Sequence, residues 1–562
     1  MKQFFLTLLL AGTMIPLFGQ AGNNDLRERV YVQTDKQLYL AGEWIQMKIM
    51  TVDLKQIPLV FSKVAYAELV DDTIALVQIK VALSNGTGDG MMQLPADIPT
   101  GFYRLIAYTQ YMRNEGSEVF CEKEVAIVNT FLSGYYPDET GVTIEDNPSA
   151  GKSYDTLTVQ PDKTTYSTRE HGTLIITGLP DHIHSLSVVI AGKDPIPADE
   201  TSHITSLKSR RVPSTVFSGT FLPEYEGHII TGKIIDNQTG KTVNSNFPII
   251  AGLSFPGKEI RFFMGQPAEN GDIRFFTSGI SGSKTIATVL YNANDLYRLD
   301  IVSPFVTRYN PKPMPKLHID PACYQQLLER SVALQVTHYY LDDPAEKYNA
   351  SAPAFKLNPT NSYLLDEYTR FTTMRDVFIE FINMARFRRI NGKWQLSAGI
   401  KQQGNNINYG DVPLVLLDGA PVSDHELIYR YDPLLVECIR IYNTNCIFGG
   451  HLFEGIIEFQ TYRGQIQDMD FDRSTQIIPY EGPQSFQKTS PPDYTVNENR
   501  RNRTPDSRHT LLWAPDVQTE GKTSLRLPFD TSDLTGDFQV TVEGLTKTGE
   551  VIFVTALFIV ET

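Results

Sequence analysis

Val32-Gln-Thr-Asp-Lys-Gln-Leu-Tyr39 recurs further along the chain as Val159-Gln-Pro-Asp-Lys-Thr-Thr-Tyr166. Each copy reads as a strand, an Asp-Lys turn and an aromatic anchor. A glycine follows (Gly42, Gly172), then an alternating apolar run, Trp44-Ile-Gln-Met-Lys-Ile49 in one copy and Thr173-Leu-Ile-Ile-Thr177 in the other. Apolar residues at every second position lay one face of a strand on a core. Each copy therefore predicts one edge of a β-sandwich. Asp35 and Asp162 are turn residues on this reading, because the same turn stands in unrelated surroundings.

The first copy extends through Leu83-Ser-Asn-Gly-Thr-Gly-Asp-Gly90 and Thr100-Gly-Phe-Tyr-Arg-Leu-Ile-Ala-Tyr108 into a sandwich over 23–130. A stretch rich in Pro, Gly, Asp and Ser over 134–153 reads as a linker. The second, more divergent sandwich is placed at 154–218. A third β unit, 222–306, contains the strand and turn His228-Ile-Ile-Thr-Gly-Lys-Ile-Ile-Asp-Asn-Gln-Thr-Gly240. Helices are expected over 320–340, with Leu327, Leu328, Val332 and Leu334 on one face, and over 363–389. The second carries Leu364, Leu365, Tyr368, Phe371, Met374, Val377, Phe378 and Phe381, with a break near Thr372-Thr373.

Within the unit 320–465, Pro413-Leu-Val-Leu-Leu-Asp-Gly-Ala-Pro-Val422 is a strand entering an Asp-Gly turn. Tyr431-Asp-Pro-Leu-Leu-Val-Glu-Cys-Ile-Arg-Ile-Tyr442 gives an Asp-Pro-started connection and a second strand. Phe448-Gly-Gly450 turns the chain into a third strand, Gly455-Ile-Ile-Glu-Phe-Gln-Thr461. A last β pattern covers 508–562, as a sandwich or a sheet. The fold class is mainly β and multidomain: serial β-sandwiches plus one α+β unit.

Composition narrows the function classes. With 50 Lys+Arg against 65 Asp+Glu, the 562-residue chain has a formal charge of −15, which disfavours nucleic acid and anionic lipid as partners. Lys2, the apolar run Phe4-Phe-Leu-Thr-Leu-Leu-Leu10 and the small-residue site Phe18-Gly19 read as an export signal over 1–19. No stretch approaches the ~18 apolar residues of a spanning helix. Four cysteines, Cys121, Cys323, Cys438 and Cys446, are too few for a disulfide scaffold and lack zinc spacing. For Cys438 and Cys446, both a bridge between neighbouring strands and buried free thiols remain open.

Motifs of chemistry fail on their own terms. Gly227-His-Ile-Ile-Thr-Gly-Lys-Ile234 lacks the hydroxyl of a phosphate loop at Ile234, and strand alternation continues where a helix must start. His425-Glu426 lacks a second histidine, since Tyr429 stands there. His182-Ile-His184 offers two imidazoles and no third ligand, so a polar turn is the preferred reading. Asp418, followed by Gly419, is a turn residue. No catalytic residue, metal or cofactor is assigned.

The first repeat resembles the macroglobulin-type domains of the alpha-2-macroglobulin family, especially versions common in Bacteroidota envelope proteins. The unit over 222–306 resembles a carboxypeptidase-regulatory-like sandwich. Pro413 to Gly464 resembles the second half of the plug domain of TonB-dependent outer-membrane receptors. A 22-stranded barrel needs roughly 9–11 residues per strand, and the residues from Gly464 to Thr562 fall far short of that. The resemblance therefore implies a non-enzymatic, exported envelope protein, a periplasmic accessory of an outer-membrane transport or secretion barrel. Asp418, Gly419, Phe448, Gly449 and Gly450 are the implied partner-contact segment. The Cys-Gly-Glu-Gln thioester of full macroglobulins is absent from the sequence. One alternative is a protease or protein binder without thioester, with the basic, mobile stretch Asn497–Ser507 as its cleavable segment. Another is a ligand-binding component of nutrient uptake, using Tyr339-Tyr340 or Tyr103, Tyr108 and Tyr111.

Overall fold

The structure, a computed structural model, describes residues 26–132, 156–193, 204 and 217–562, less the stretches 244–249, 292–295, 341–357, 402–406, 411–412, 449–450, 467–469, 472–473, 486–491 and a few shorter ones. The expected signal over 1–19 and linker over 134–153 lie outside the described residues.

The quoted turn folds through one carboxylate. Asp35 Oδ1 accepts the Tyr39 hydroxyl at 2.7 Å and the Gln46 amide at 3.2 Å, and the Lys36 amide donates to the Tyr39 oxygen at 3.2 Å. Around it stand β1 (Arg29–Thr34), β2 (Leu38–Leu40), β3 (Trp44–Val52), β4 (Val64–Asp71), β5 (Ile74–Ala82), β6 (Thr87–Gln93), β7 (Gly101–Tyr108) and β8 (Cys121–Val128). They form sheets of order β2-β8-β7-β4-β5 and β1-β3-β6. Val30, Val32, Tyr39, Ile45, Leu105 and Ile127 lie in the core between them.

The second copy repeats this geometry atom for atom. Asp162 Oδ1 accepts the Tyr166 hydroxyl at 2.5 Å and the Thr173 amide at 2.9 Å, while the Lys163 amide donates to Tyr166 at 3.1 Å. Lys163 pairs with Glu170 as Lys36 pairs with Glu43. The strands are β9 (Thr158–Pro161), β10 (Thr165–Ser167), β11 (His171–Thr177) and β12 (Ile183–Gly192). Here the copies diverge. In the first, β4 and β5 close on a tight hairpin, with Asp71 opposite Ile74. In the second, the chain leaves after β12.

It first builds a third sandwich from β13 (Ile229–Asp236), β14 (Ile250–Ser254), β15 (Phe262–Met264), β16 (Gln266–Pro267), β17 (Ile273–Phe276), β18 (Ser283–Tyr291) and β19 (Tyr297–Val302). Helix α1 (Tyr324–Tyr340) follows. Its Leu327 joins Leu38, Leu40, Ala126 and Val128 of the first sandwich. Its Arg330 donates from Nε and Nη2 to the buried Glu43 carboxylate, both at 2.8 Å. An α+β unit comes next: β20 (Asn361–Leu364), α2 (Met374–Glu380), β21 (Ala385–Ile390), β22 (Lys393–Lys401), β23 (Ile407–Gly410), β24 (Leu414–Leu417), β25 (Ala420–Pro421), α3 (His425–Arg430), β26 (Val436–Phe448) and β27 (His451–Thr461). Its main sheet has the order β20-β26-β27-β24-β25.

The return leg ties these units together. β28 (Thr475–Glu481) pairs with β18 and completes the third sandwich. Just beyond it, Gln484 bridges both sheets of the first sandwich. Its amide donates to Lys80 O at 2.7 Å, its carbonyl accepts from Ala82, and its side chain exchanges two bonds with the Met91 backbone at 2.9 and 3.0 Å. After α4 (Asn497–Arg500), β29 (Thr510–Ala514), β30 (Ser524–Asp530), β31 (Gly536–Thr546) and β32 (Val551–Glu561) re-enter the second sandwich. Its sheets run β10-β32-β31-β12-β29 and β9-β11-β30, strand for strand the order of the first. In both copies the second strand pairs in parallel with the last, β2 with β8 and β10 with β32.

Several expectations are corrected. The units placed at 154–218 and 508–562 are one sandwich, because β11 pairs with β30 and β12 with β29 and β31. The third unit takes a strand from beyond 306, β28. Of the helix expected over 363–389, only Met374–Glu380 is α-helical; Thr373 caps it by accepting the Asp376 amide, and Asn361–Leu364 and Ala385–Ile390 are strands. Cys438 and Cys446 lie on the one strand β26, and both are free. At about 3.3 Å of rise per residue they stand far outside the ~7 Å reach of a disulfide. Asn497–Ser507 is held in place: Arg169 donates to the carbonyls of Arg500 at 3.2 Å and Thr504 at 2.8 Å, and to that of Asn502.

Two substitutions test these joints. Burial raises the Glu43 carboxyl, but Arg330 and Lys36 more than offset this and hold it well below the ordinary carboxylate range. Its stabilising contribution is thus complete above the unfolded value of ~4.3 and is lost as pH falls below it. Glu43→Gln, which leaves Arg330 buried without its anion, costs about 3–5 kcal/mol at pH 7. The gap from wild type narrows as pH falls below 4.5, measured by denaturant titration. Gln484→Ala costs about 2 kcal/mol and speeds hydrogen exchange at the Met91 amide.

Candidate partner-contact surface

The Asp418-Gly419 turn joins β24 to β25 with φ of 47° and 82°. Two successive positive φ values are what a type I′ hairpin requires. The Asp418 carboxylate is buried, accepting the Thr461 amide at 2.8 Å on Oδ1 and the Thr461 hydroxyl at 2.7 Å on Oδ2. Its carbonyl accepts the Gly257 amide at 2.8 Å, and a Cβ on Gly419 would lie 3.0 Å from that same nitrogen. The turn is therefore engaged inside the chain, against the third sandwich. This corrects the expectation that Asp418 and Gly419 face a partner.

The β26–β27 hairpin carries the other expected contact residues. Phe448 is half-buried, edge-on to Phe262 at 5.5 Å and 6.1 Å from Phe453. It too packs on the third sandwich. Gly449 and Gly450 lie outside the described residues. Strand alternation then sends the neighbour of Phe448 the other way. Ile447 is 72% exposed, and Leu452, directly opposite it in register, is 46% exposed. A cross-strand apolar pair at a hairpin end is a surface that a partner can cover. Sequence reading missed this pair, although Phe448 counted inward predicts Ile447 outward at the period of two.

The remaining candidates are structural. His182 sits in a turn with φ 61°, and His184 is half-buried in β12 just before its buried run begins at Ser185; among the described residues neither joins a group of three metal-ligating side chains. His425 Nδ1 accepts the Leu396 amide at 3.1 Å, and burial holds its pKa down to about 4, so the imidazole is a neutral strut between α3 and β22. Gly232 and Lys233 pair within β13 as strand residues. Tyr103 and Tyr108 are buried in the first core, with the Tyr108 hydroxyl on Glu68 at 2.5 Å, and offer no ligand platform. The side chains of Tyr339 and Tyr340 lie outside the described residues. A cleft of about 390 Å³ between α1 and the first sandwich is lined by Gly42, Gln93, Phe131, Leu334 and Gln335 among others, none of them titratable. Three metal-competent groups, His171, Asp493 and Asp530, do come together on the second sandwich.

No protein-family description and no curated protein matches the chain. Solved structures that overlap it include Salmonella alpha-2-macroglobulin reacted with methylamine, at 9% identity over 97% of this chain and 40% of that one, TM-score 0.25. The native conformation of E. coli alpha-2-macroglobulin overlaps at 10% identity, over 96% and 40%, TM-score 0.23. The Yersinia pseudotuberculosis adhesin InvE overlaps at 11% identity, over 50% and 62%, TM-score 0.14. This chain spans about 40% of the length of those macroglobulins. Overlaps this loose carry no argument about kinship or activity, and the sandwich architecture rests on the strand registers themselves.

Proposed function

We propose that this chain is a non-enzymatic, exported envelope protein that works through protein–protein contacts, as a periplasmic accessory of an outer-membrane transport or secretion barrel. The observation that carries the reading is the exposed Ile447–Leu452 pair at the end of the β26–β27 hairpin. Its other face is anchored on the third sandwich through Phe448 and Phe453, so the pair is presented on a fixed support. A rigid apolar anchor loses little conformational entropy on association. The barrel as partner comes from the plug resemblance of Pro413–Gly464.

The experiment is a gentle detergent pull-down of tagged protein from its own envelope, with mass spectrometry of what co-elutes. The wild type brings down a β-barrel protein in stoichiometric amount. Ile447→Lys combined with Leu452→Glu, which sets opposite charges across the pair, abolishes this while changing stability by no more than about 1 kcal/mol. Recovery of the wild type alone from the soluble periplasmic fraction would overturn the proposal.

A further inference from the structure

We infer that His171, Asp493 and Asp530 form a binding site for a divalent transition-metal ion at the seam between the return leg and the second sandwich. The three ligands come from three separate segments: the first residue of β11, the leg between β28 and α4, and the last residue of β30. His171 and Asp530 are directly opposed in the antiparallel register, which sets imidazole and carboxylate side by side, Nδ1 to Oδ1 at 3.1 Å. Asp493 is delivered by its neighbour Tyr494. That residue is buried, donates its amide to Asp530 Oδ1 at 3.2 Å and its hydroxyl to Asp506 at 2.9 Å. One donor atom from each of the three residues lies within 4.8 Å of the others.

The chemistry of the set selects the ion. One imidazole and two carboxylates suit zinc and its neighbours, whereas calcium and magnesium prefer oxygen alone. Ligand distances of roughly 2.0–2.2 Å require the donors to draw in. The exposed His171 can rotate to do so and Asp493 can offer Oδ2, its Oδ1 accepting the Thr495 amide at 2.9 Å and hydroxyl at 2.5 Å, while the buried Asp530 holds its place. The carboxylates are also not neutralised by the arginines that bind this region. Arg169 is held by both oxygens of Asp533 at 2.6 and 2.7 Å, and Arg508 by Asp506 at 2.6 to 3.0 Å. Three protein ligands with one solvent-facing side leave room for water to complete the shell and for the ion to exchange. Bound metal would clip the end of the long insert to the sandwich that hosts it. This inference stands independently of the barrel reading.

The test uses the full-length protein stripped with chelator and titrated with zinc chloride in a calorimeter, with melting temperature read in parallel. One site with a micromolar Kd is expected, with a melting temperature that rises with zinc concentration. His171→Ala and Asp493→Asn each weaken zinc binding at least tenfold, and Asp493→Asn, whose amide oxygen can still accept from Thr495, leaves the metal-free melting temperature in place. No saturable binding up to millimolar zinc, unchanged affinity in both variants, or calcium binding in preference to zinc would each overturn the assignment.

Discussion

The amide of Gly192 donates to the carbonyl of His509 at 2.9 Å, and from that bond inward β12 and β29 pair antiparallel, Ala191 with Thr510 and, past a one-residue bulge at Leu511, Val189 with Trp513. The rest of the molecule depends on this closure. Everything between 193 and 508 leaves and returns through adjacent strands of one sheet. The third sandwich is interrupted as well, but between its two sheets: α1 and the α+β unit are spliced between β19 at the edge of one and β28 at the edge of the other. The molecule is therefore nested: a duplicated sandwich hosts a second one, which hosts the hairpin that ends at Ile447 and Leu452. Such nesting is compatible with a stable host because loop-closure entropy rises only slowly with length, about 0.6 kcal/mol per doubling.

Buried polar joints keep the nested units from moving independently. Between the two copies of the repeat, Tyr31 donates to Glu543 at 2.7 Å, Thr510 to Asp35 at 2.8 Å, and Lys48 to the carbonyl of Pro515. Between the first sandwich and the third, Glu224 accepts Tyr66 at 3.0 Å and stands 2.8 Å from His228 Nδ1; His228 Nε2 in turn lies 2.5 Å from the Tyr480 hydroxyl. Burial keeps this histidine neutral, its pKa lowered. Networks of this kind cost more when broken than they contribute when intact, since a lone buried polar group has no replacement partner. They set the relative orientation of the units, which apolar packing alone leaves less defined.

The parts legible in the sequence are those whose causes are local. Asp35, Tyr39 and their counterparts Asp162 and Tyr166 mark a turn whose bonds all close within a dozen residues, and Asp418-Gly419 marks a hairpin by its φ requirement. The β character follows from the same short-range rules, and Thr373 marks the start of α2 as its cap rather than a break within a longer helix. What was hidden involves partners hundreds of residues apart. Nothing around β11 announces β30, so one sandwich read as two. Gly257 gives no sign that it will cover the Asp418 turn. His171 is a single histidine beside Gly172, and only its cross-strand partner gives it a chemical context. The helix expected over 363–389 failed differently: its apolar spacing serves a strand, a capped short helix and a second strand in succession.

The central claim is that the second sandwich is a complete copy of the first, opened at one hairpin. It is tested most directly by excising 193–508 and joining Gly192 to His509 through Asn-Gly, the two-residue turn that suits such a junction. The account predicts a soluble, β-rich chain that unfolds in one cooperative transition, with the amides of Val188 and Ile190 protected from exchange. An unfolded or aggregated product, or one in which residues 510–562 exchange as a free tail, would contradict it.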